Sequence, residues 1–400
     1  MWRDKMSQTV HVKNVGLRGV TVADTKISFI DGDNGILLYR GFRIEELANA
    51  STFMEVAYLI LYGVLPDKKT LEDFENRVMG ARSLPDYVVN NLRNLPQNAA
   101  PMDVLQSSIA ALSMSDPDLN EDSRSANVNM AIRLLARMPV LVAAWHRISQ
   151  RLDPLPSDDA LSHAANFLWQ FHGEKPDAET ARDLDTCLVL HADHTFNAST
   201  FACREVVSTR AHMYAGVCAG IGALSGSLHG GANARVMRML LELELEKDIP
   251  GWVKRELDGG GKIMGMGHAV YKTMDPRAKF LKNMAERLGQ KTKQERWHEL
   301  STQIEEYGIQ AFRDRGKMNI LPNVDFYSAP VYHIMGIPFD FMTPIFAISR
   351  VSGWCAHIIE EKFADAQEKP ALYRPKAEYV GEYCGLTGCE YEPIEERKGE

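Results

Sequence analysis

"MYAGVCAGIGALSGSLHGGANARVMRML", residues 213–240, is the stretch whose reading decides the fold. From Met213 to Leu228 it is apolar on every side, rich in glycine and alanine, and carries no charge. It falls short of the roughly 20 apolar residues a bilayer span needs, so it reads as a helix buried inside a protein. His229 closes that helix, and Gly230-Gly231 permits the reversal that a helix C-terminus commonly needs. The next helix is expected to begin at Asn233.

Outward from this pair, apolar residues at three-to-four spacing predict further helices over 54–63, 102–114, 128–149, 159–171, 178–190, 205–228, 232–246, 277–288, 296–313 and 343–361. Polar or glycine-rich breaks fall at 113–127, 151–160 and 256–267. One segment reads as β: "TKISFIDGDNGILLYRG", residues 25–41, sets two short apolar runs around Asp-Gly-Asp-Asn-Gly, a hairpin. The expected fold is all-α with a short N-terminal β-hairpin.

With 400 residues, 45% of them hydrophobic and 24% charged, the chain is long enough for a sizeable core and more than one domain. A net charge of -8 argues against a nucleic-acid footprint and towards small-molecule work. The start, "MWRDKMSQTVHVKN", lacks the apolar core of a secretory signal and the acid-free character of a transit peptide, so a cytoplasmic, non-membrane protein is expected. Cysteines 187, 203, 218 and 355 lie in apolar helical patterns, and Cys384 and Cys389 near the C-terminus have no close His or Cys partners; no disulfide framework is implied.

Four stretches carry candidate chemistry: "HADHTFNASTF" (191–201), "SLHGGANARV" (227–236), "GMGHAVYKTMDPR" (265–277) and "LPNVDFYSA" (321–329). His191 and His194 are one helical turn apart, a spacing that could bind metal but lacks an acidic partner motif. His229 is a packed or capping histidine, or a neutral ring donating one hydrogen bond beside the positive end of the following helix. Asp275 fits an N-cap and Pro276 the first helical position, which sets Arg277 in the first turn, where guanidinium and helix N–H groups together attract an anion. That anion is Asp275 itself or a bound carboxylate. Gly265 and Gly267 allow close backbone approach to a ligand, although no dinucleotide or phosphate-loop fingerprint is complete. Arg350 interrupts the apolar "TPIFAISRVSGWCAHII" and needs either a glutamate or a substrate carboxylate. Asp325, between Val324 and Phe326, is a helix N-cap or a desolvated general base.

Taken together and in order, these stretches resemble the citrate synthase family, in its shorter bacterial and archaeal form. The likeness runs from "GILLYRGFRIEELA" through "MDVLQSSIAAL", "HADHTFNASTFACREVVST", "SLHGGANARV", "GMGHAVYKTMDPRAK" and "PNVDFYSA" to "FAISRVSGW", "YRPKAEYVG" and "PIEER". It implies a large helical domain from residues 1–231 and 332–400, a smaller helical domain over 232–331 that closes on substrate, and a homodimer. The implied reaction condenses acetyl-CoA with oxaloacetate to citryl-CoA, which water cleaves to citrate and CoA; no metal or other cofactor is implied, since the CoA thioester is a substrate. By motif, Asp325 is the base, His229 assists the thioester oxygen and His268 polarises the oxaloacetate ketone. His194, Arg277 and Arg350 bind oxaloacetate, joined by Arg374 from the other subunit. Ile263, Met264, Gly265, Met266, Gly267, Lys272 and Asn323 correspond to the CoA-binding positions.

Three positions depart from the family pattern: Ala329 where glycine is usual, Ala234 where an acid commonly follows the asparagine, and Asn319 where a lysine often stands. Competing expectations are a 2-methylcitrate synthase acting on propionyl-CoA, a metal-dependent hydrolase using the histidines and Asp325, and an inactive assembly protein of the same fold.

Overall fold

The computed structural model describes residues 16–17, 19–381 and 388–397; the N-terminal segment read for targeting signals, residues 1–14, and Cys384 lie outside them. Among the described residues the chain is helical apart from one three-stranded antiparallel sheet. Strands Ser28–Asp31 and Ile36–Tyr39 form the expected hairpin, with Ser28 opposite Tyr39 and Asp31 opposite Ile36. A third, two-residue strand, Phe42–Arg43, extends it beyond the sequence reading.

The core is organised around Met342–Phe363, which is buried along nearly its whole length. It packs against Arg124–Ser149, Ala198–Ser208, Met213–Ser225, Phe53–Tyr62 and Ala178–His191. A second group of helices, Ala232–Glu242, Ile249–Asp258, Ala278–Thr292, Arg296–Asp314 and Val324–Ile334, packs mainly on its own members.

The apolar patterns locate most of these helices and misplace some ends. The run expected over 205–228 is two helices, Ala198–Ser208 and Met213–Ser225, parted at Arg210 (φ 70°) and restarted where the His212 side chain caps Ala215 N–H. No glycine or proline marks that break in the sequence. Helix Arg124–Ser149 starts earlier than predicted, capped by Ser123, and is long and apolar enough to cross a membrane, but 78% of its apolar window is buried inside the protein, as in a core helix. Ile44–Ala50, Lys68–Gly80, Asp86–Asn94, Ile249–Asp258 and Val324–Ile334 are helices the spacing did not give. Cys187, Cys203, Cys218 and Cys355 are free thiols, as expected, whereas Cys389 is disulfide-bonded, against the expectation for the tail.

Candidate active site

Three irregular segments and the first turn of a helix meet where the ends of these helices converge. His194 follows helix Ala178–His191, His229 lies between Met213–Ser225 and Ala232–Glu242, His268 sits in the long connection after Ile249–Asp258, and Asp325 is the second residue of Val324–Ile334. With Arg277 and with Arg350 from the core helix, all of them line one cavity of about 460 Å³. A larger, open cavity of about 600 Å³ between the hairpin and the start of Ala278–Thr292 holds none of the predicted catalytic side chains.

Hydrogen bonds fix the state of two rings. Nδ1 of His268 faces the backbone N–H groups of Val270 at 2.9 Å and Tyr271 at 3.0 Å. Backbone N–H only donates, so Nδ1 accepts and the proton sits on Nε2. Burial, helped by Arg277, lowers this imidazole to about 4, so it is neutral at pH 7. At His229, Nε2 accepts from Ser199 N–H at 3.2 Å, which leaves Nδ1 as the donor. Ser199 stands in the first turn of Ala198–Ser208, so the positive end of that helix lies beside His229, while the helix that follows in sequence starts three residues on, at Ala232. Burial first, then Arg350, lowers His229 to about 4. His194 is buried, held low first by burial and then by Arg277, with Nε2 3.3 Å from the Tyr271 hydroxyl. Three neutral rings therefore share the cavity, and two of them, His229 and His268, have a fixed tautomer with one N–H to offer.

Asp325 is not a cap: Asn323 caps Val324–Ile334 by accepting from the N–H groups of Asp325 and Phe326. The Asp325 carboxylate accepts no hydrogen bond from the described residues. Burial raises it to about 6 although Arg277 opposes the rise. A carboxylate with that pKa is ionised at pH 7 yet basic enough to take a proton.

The two arginines differ. Arg277 donates through Nε and Nη2 to Asp275, at 2.9 and 2.7 Å, and both residues are buried. The Asp275 side chain also accepts from Arg277 N–H, and the helix begins one residue later, at Ala278, so Asp275 and Pro276 both lie ahead of the N-cap and first helical positions expected of them. Arg350 has no carboxylate within ion-pair distance among the described residues: its Nε donates to the His191 carbonyl at 2.8 Å and its guanidinium lies 4.5 Å from the centre of the Phe346 ring. Burial lowers it to about 10, the signature of a cation that lacks a full counter-charge. The expectation of a glutamate partner for Arg350 is not met.

Other expected positions fall elsewhere. Ile263 is buried in the core. Gly265 approaches protein, not open space: a Cβ there would meet Val236 Cγ2 at 2.7 Å and Phe326 Cα at 2.9 Å, and its φ is +77°. The Met264–Gly267 segment is tied to the 321–323 segment by Asn323 N–H to Gly265 O, Gly267 N–H to Leu321 O and Asn323 Nδ2 to Gly267 O. Gly267 and Asn323 line the cavity, whereas Lys272 pairs with Asp33 at 2.7 Å on the surface. Arg374 is exposed on an extended tail and does not line this chain's cavity. The His191 ring is held with Nδ1 2.7 Å from the Cys187 carbonyl oxygen. Sequence reasoning did not single out Ser199, Tyr271 or Arg235, which share the quoted motifs; Arg235 lines the cavity beside Asp325.

A family model described as "Citrate synthase, C-terminal domain" matches residues 16–376. A citrate synthase of Haloferax volcanii is 44% identical over 387 residues, covering 96% of this chain and 98% of the relative. A 2-methylcitrate synthase of Mycobacterium tuberculosis is 38% identical over 366 residues, covering 92% and 90%. The citrate synthase of Thermoplasma acidophilum, solved as a ternary complex with carboxymethyl coenzyme A and oxaloacetate, superposes with a TM-score of 0.85 at 35% identity and covers 95% of this chain and 98% of that one. By sequence along nearly its full length, and by fold, the chain belongs to the citrate synthase family.

Proposed function

We propose that the protein condenses acetyl-CoA with oxaloacetate and hydrolyses the product to citrate and CoA. The observation that carries this reading is the meeting of one raised carboxylate, two neutral imidazoles of fixed tautomer and an arginine without an ion-pair partner on a single cavity. Asp325 takes a proton from the acetyl methyl group while His229 Nδ1–H stabilises the charge growing on the thioester oxygen. The enolate carbon then bonds to the ketone carbon of oxaloacetate, whose oxygen is polarised by His268 Nε2–H. Water finally displaces the thiol by cleaving the C–S bond. Arg350 and the free Nη1 edge of Arg277 hold the diacid's carboxylates, with His194 beside them.

In this reading residues 232–331 form a smaller domain that closes on the larger one, keeping water from the intermediate until the carbon–carbon bond has formed. Backbone at 263–267, with Asn323, receives CoA, and Lys272 reaches its phosphates only by leaving Asp33. The working unit is a homodimer in which Arg374 completes the neighbouring site. Supporting this, Tyr373 anchors the tail to Ser208 and Glu361 and leaves Arg374 exposed, while helix Met213–Ser225 carries a half-buried row of Ala215, Cys218, Ala219, Gly222 and Ala223 suited to a second copy. The enzyme acts in the cytoplasm and needs no resident cofactor.

The 2-methylcitrate relative keeps propionyl-CoA as an alternative, because one methylene is worth only about 1–3 kcal/mol in a pocket. Initial rates of oxaloacetate-dependent thiol release separate the two: faster release from acetyl-CoA is expected, and a clear propionyl preference would reassign the substrate.

A further inference from the structure

The loop that carries His268 has no helix or strand of its own and runs between two supports. On one side it is tied to residues 321–323, as described above. On the other it rests on the turn of the N-terminal hairpin, some 240 residues earlier in the chain. Lys272 N–H donates to Gly32 O at 2.8 Å, and Lys272 Nζ pairs with Asp33. The turn is stiff, because the Asp31 carboxylate accepts from the N–H groups of Asp33 and Asn34 and from the Asn34 amide.

Contact across this second support is close enough to require glycine. A Cβ on Gly32 would lie 2.2 Å from the Val270 carbonyl oxygen and 3.2 Å from Val270 Cγ1. A Cβ on Gly35 would lie 2.7 Å from Thr273 Oγ1. Val270 and Tyr271 are the residues whose N–H groups hold His268 Nδ1, and Tyr271 also reaches His194. A displacement of Val270 by one carbon atom is therefore transmitted to the ring that faces the ketone.

We propose that the hairpin turn at residues 31–35 is a positioning element for the active site, with Gly32 setting the place of the His268 loop by direct backbone contact. The proposal rests on His268 being the donor to the oxaloacetate ketone. Misplacing a catalytic group by about 1 Å costs on the order of 10²-fold in rate.

The test is Gly32→Ala, read by kcat, by KM for oxaloacetate and by the carbonyl carbon NMR shift of oxaloacetate bound to the enzyme. Gly41→Ala is the control: it lies in the same sheet, in the turn between its second and third strands, at φ +92°, but has no atom within 4 Å of its Cβ position. The expected pattern is a fall in kcat of about 10- to 100-fold for Gly32→Ala, a KM changed by less than about threefold because Arg350 and Arg277 lie elsewhere, and a bound carbonyl shift moved towards the free value. Gly41→Ala should lose thermal stability and keep both kcat and the shift. If Gly32→Ala does not fold, Gly35→Ala takes its place; it sits at φ +67°, so thermal stability falls as well, and adding Thr273→Ala should restore part of kcat by removing the nearest atom struck. Wild-type kcat and carbonyl shift in the glycine variant would overturn the proposal, as would equal losses in Gly32→Ala and Gly41→Ala. A wild-type enzyme that leaves the carbonyl shift at its free value would instead overturn the role of His268, and this proposal with it.

Discussion

Asp275 grips Arg277 through Nε and Nη2 and leaves Nη1 with no hydrogen-bond partner among the described residues, although the arginine lines the cavity. Burial alone would raise the Asp275 carboxyl, yet Arg277 outweighs it and holds it below its ordinary value. The pair thus aims a guanidinium whose charge is already balanced. Arg350 stands in the same cavity without such a partner, and the two arginines should respond differently to substitution.

Asp275→Asn leaves a buried guanidinium without its counter-charge. A loss of about 3–5 kcal/mol of unfolding free energy is expected, as when one member of a buried ion pair is removed. Urea denaturation measures it, and a loss under about 1 kcal/mol would mean that the pair is effectively solvated.

Arg350→Met removes a buried cation that has no carboxylate within ion-pair distance among the described residues and only the more distant charges of Asp193 and Asp325, so the free enzyme should keep its stability within about 1 kcal/mol. Oxaloacetate should no longer raise the melting temperature, and its KM should rise by at least about 100-fold, as when one partner of a buried charge pair is lost. A ligand-induced thermal shift equal to that of the wild type would place the diacid elsewhere.

Acid should act on stability in opposite directions at the two kinds of site. His229 and His268 have folded values of about 4 against an ordinary 6.5, so the unfolded chain binds more protons between those values, and their contribution is lost as pH falls through that window. Asp325, raised from 3.8 to about 6, binds its proton more readily when folded and so weakens the fold as pH rises through the same range. Asp325→Asn should therefore be more stable than the wild type at pH 7 by about 1–3 kcal/mol, the gain vanishing below about pH 4. Urea midpoints at pH 4, 5.5 and 7 check the sign.

Beneath the site, Arg204 donates to Glu360 at 2.7 Å and to Glu361 at 2.9 Å, all three fully buried. Arg204→Met leaves two adjacent carboxylates facing each other, and a loss of about 3–5 kcal/mol is expected. Adding Glu361→Gln should recover part of it; no recovery in the double variant would show that the pair is not coupled.

How much of this was legible in the sequence depended on where each determinant lies. The buried helix at 213–225 and the hairpin were readable because burial and turn chemistry are local patterns, and the cavity residues were readable because their motifs keep a recognisable order. The neutral state of His229 was read from the helix that follows it, whereas burial is its main cause and the backbone N–H of Ser199 fixes its tautomer; every residue but proline carries such a group, so no letter marks it. Asp275 as the partner of Arg277 was one of two options that spacing left open, and side-chain geometry chose between them. The break at Arg210 escaped notice because a left-handed arginine carries no compositional signal. The close approach of Gly32 to Val270 joins segments far apart in the chain, a relationship that periodicity cannot show.

The claim that the carboxylate of Asp325 starts the reaction between two neutral rings is tested most directly by oxaloacetate-dependent thiol release from acetyl-CoA, measured from pH 5 to pH 8 in the wild type and in Asp325→Asn. The wild-type kcat/KM should be half-maximal near pH 6 and fall about tenfold per unit well below it, while the variant should lose about 10²–10⁴ of the rate at pH 7. A variant that releases thiol at the wild-type rate would contradict the account.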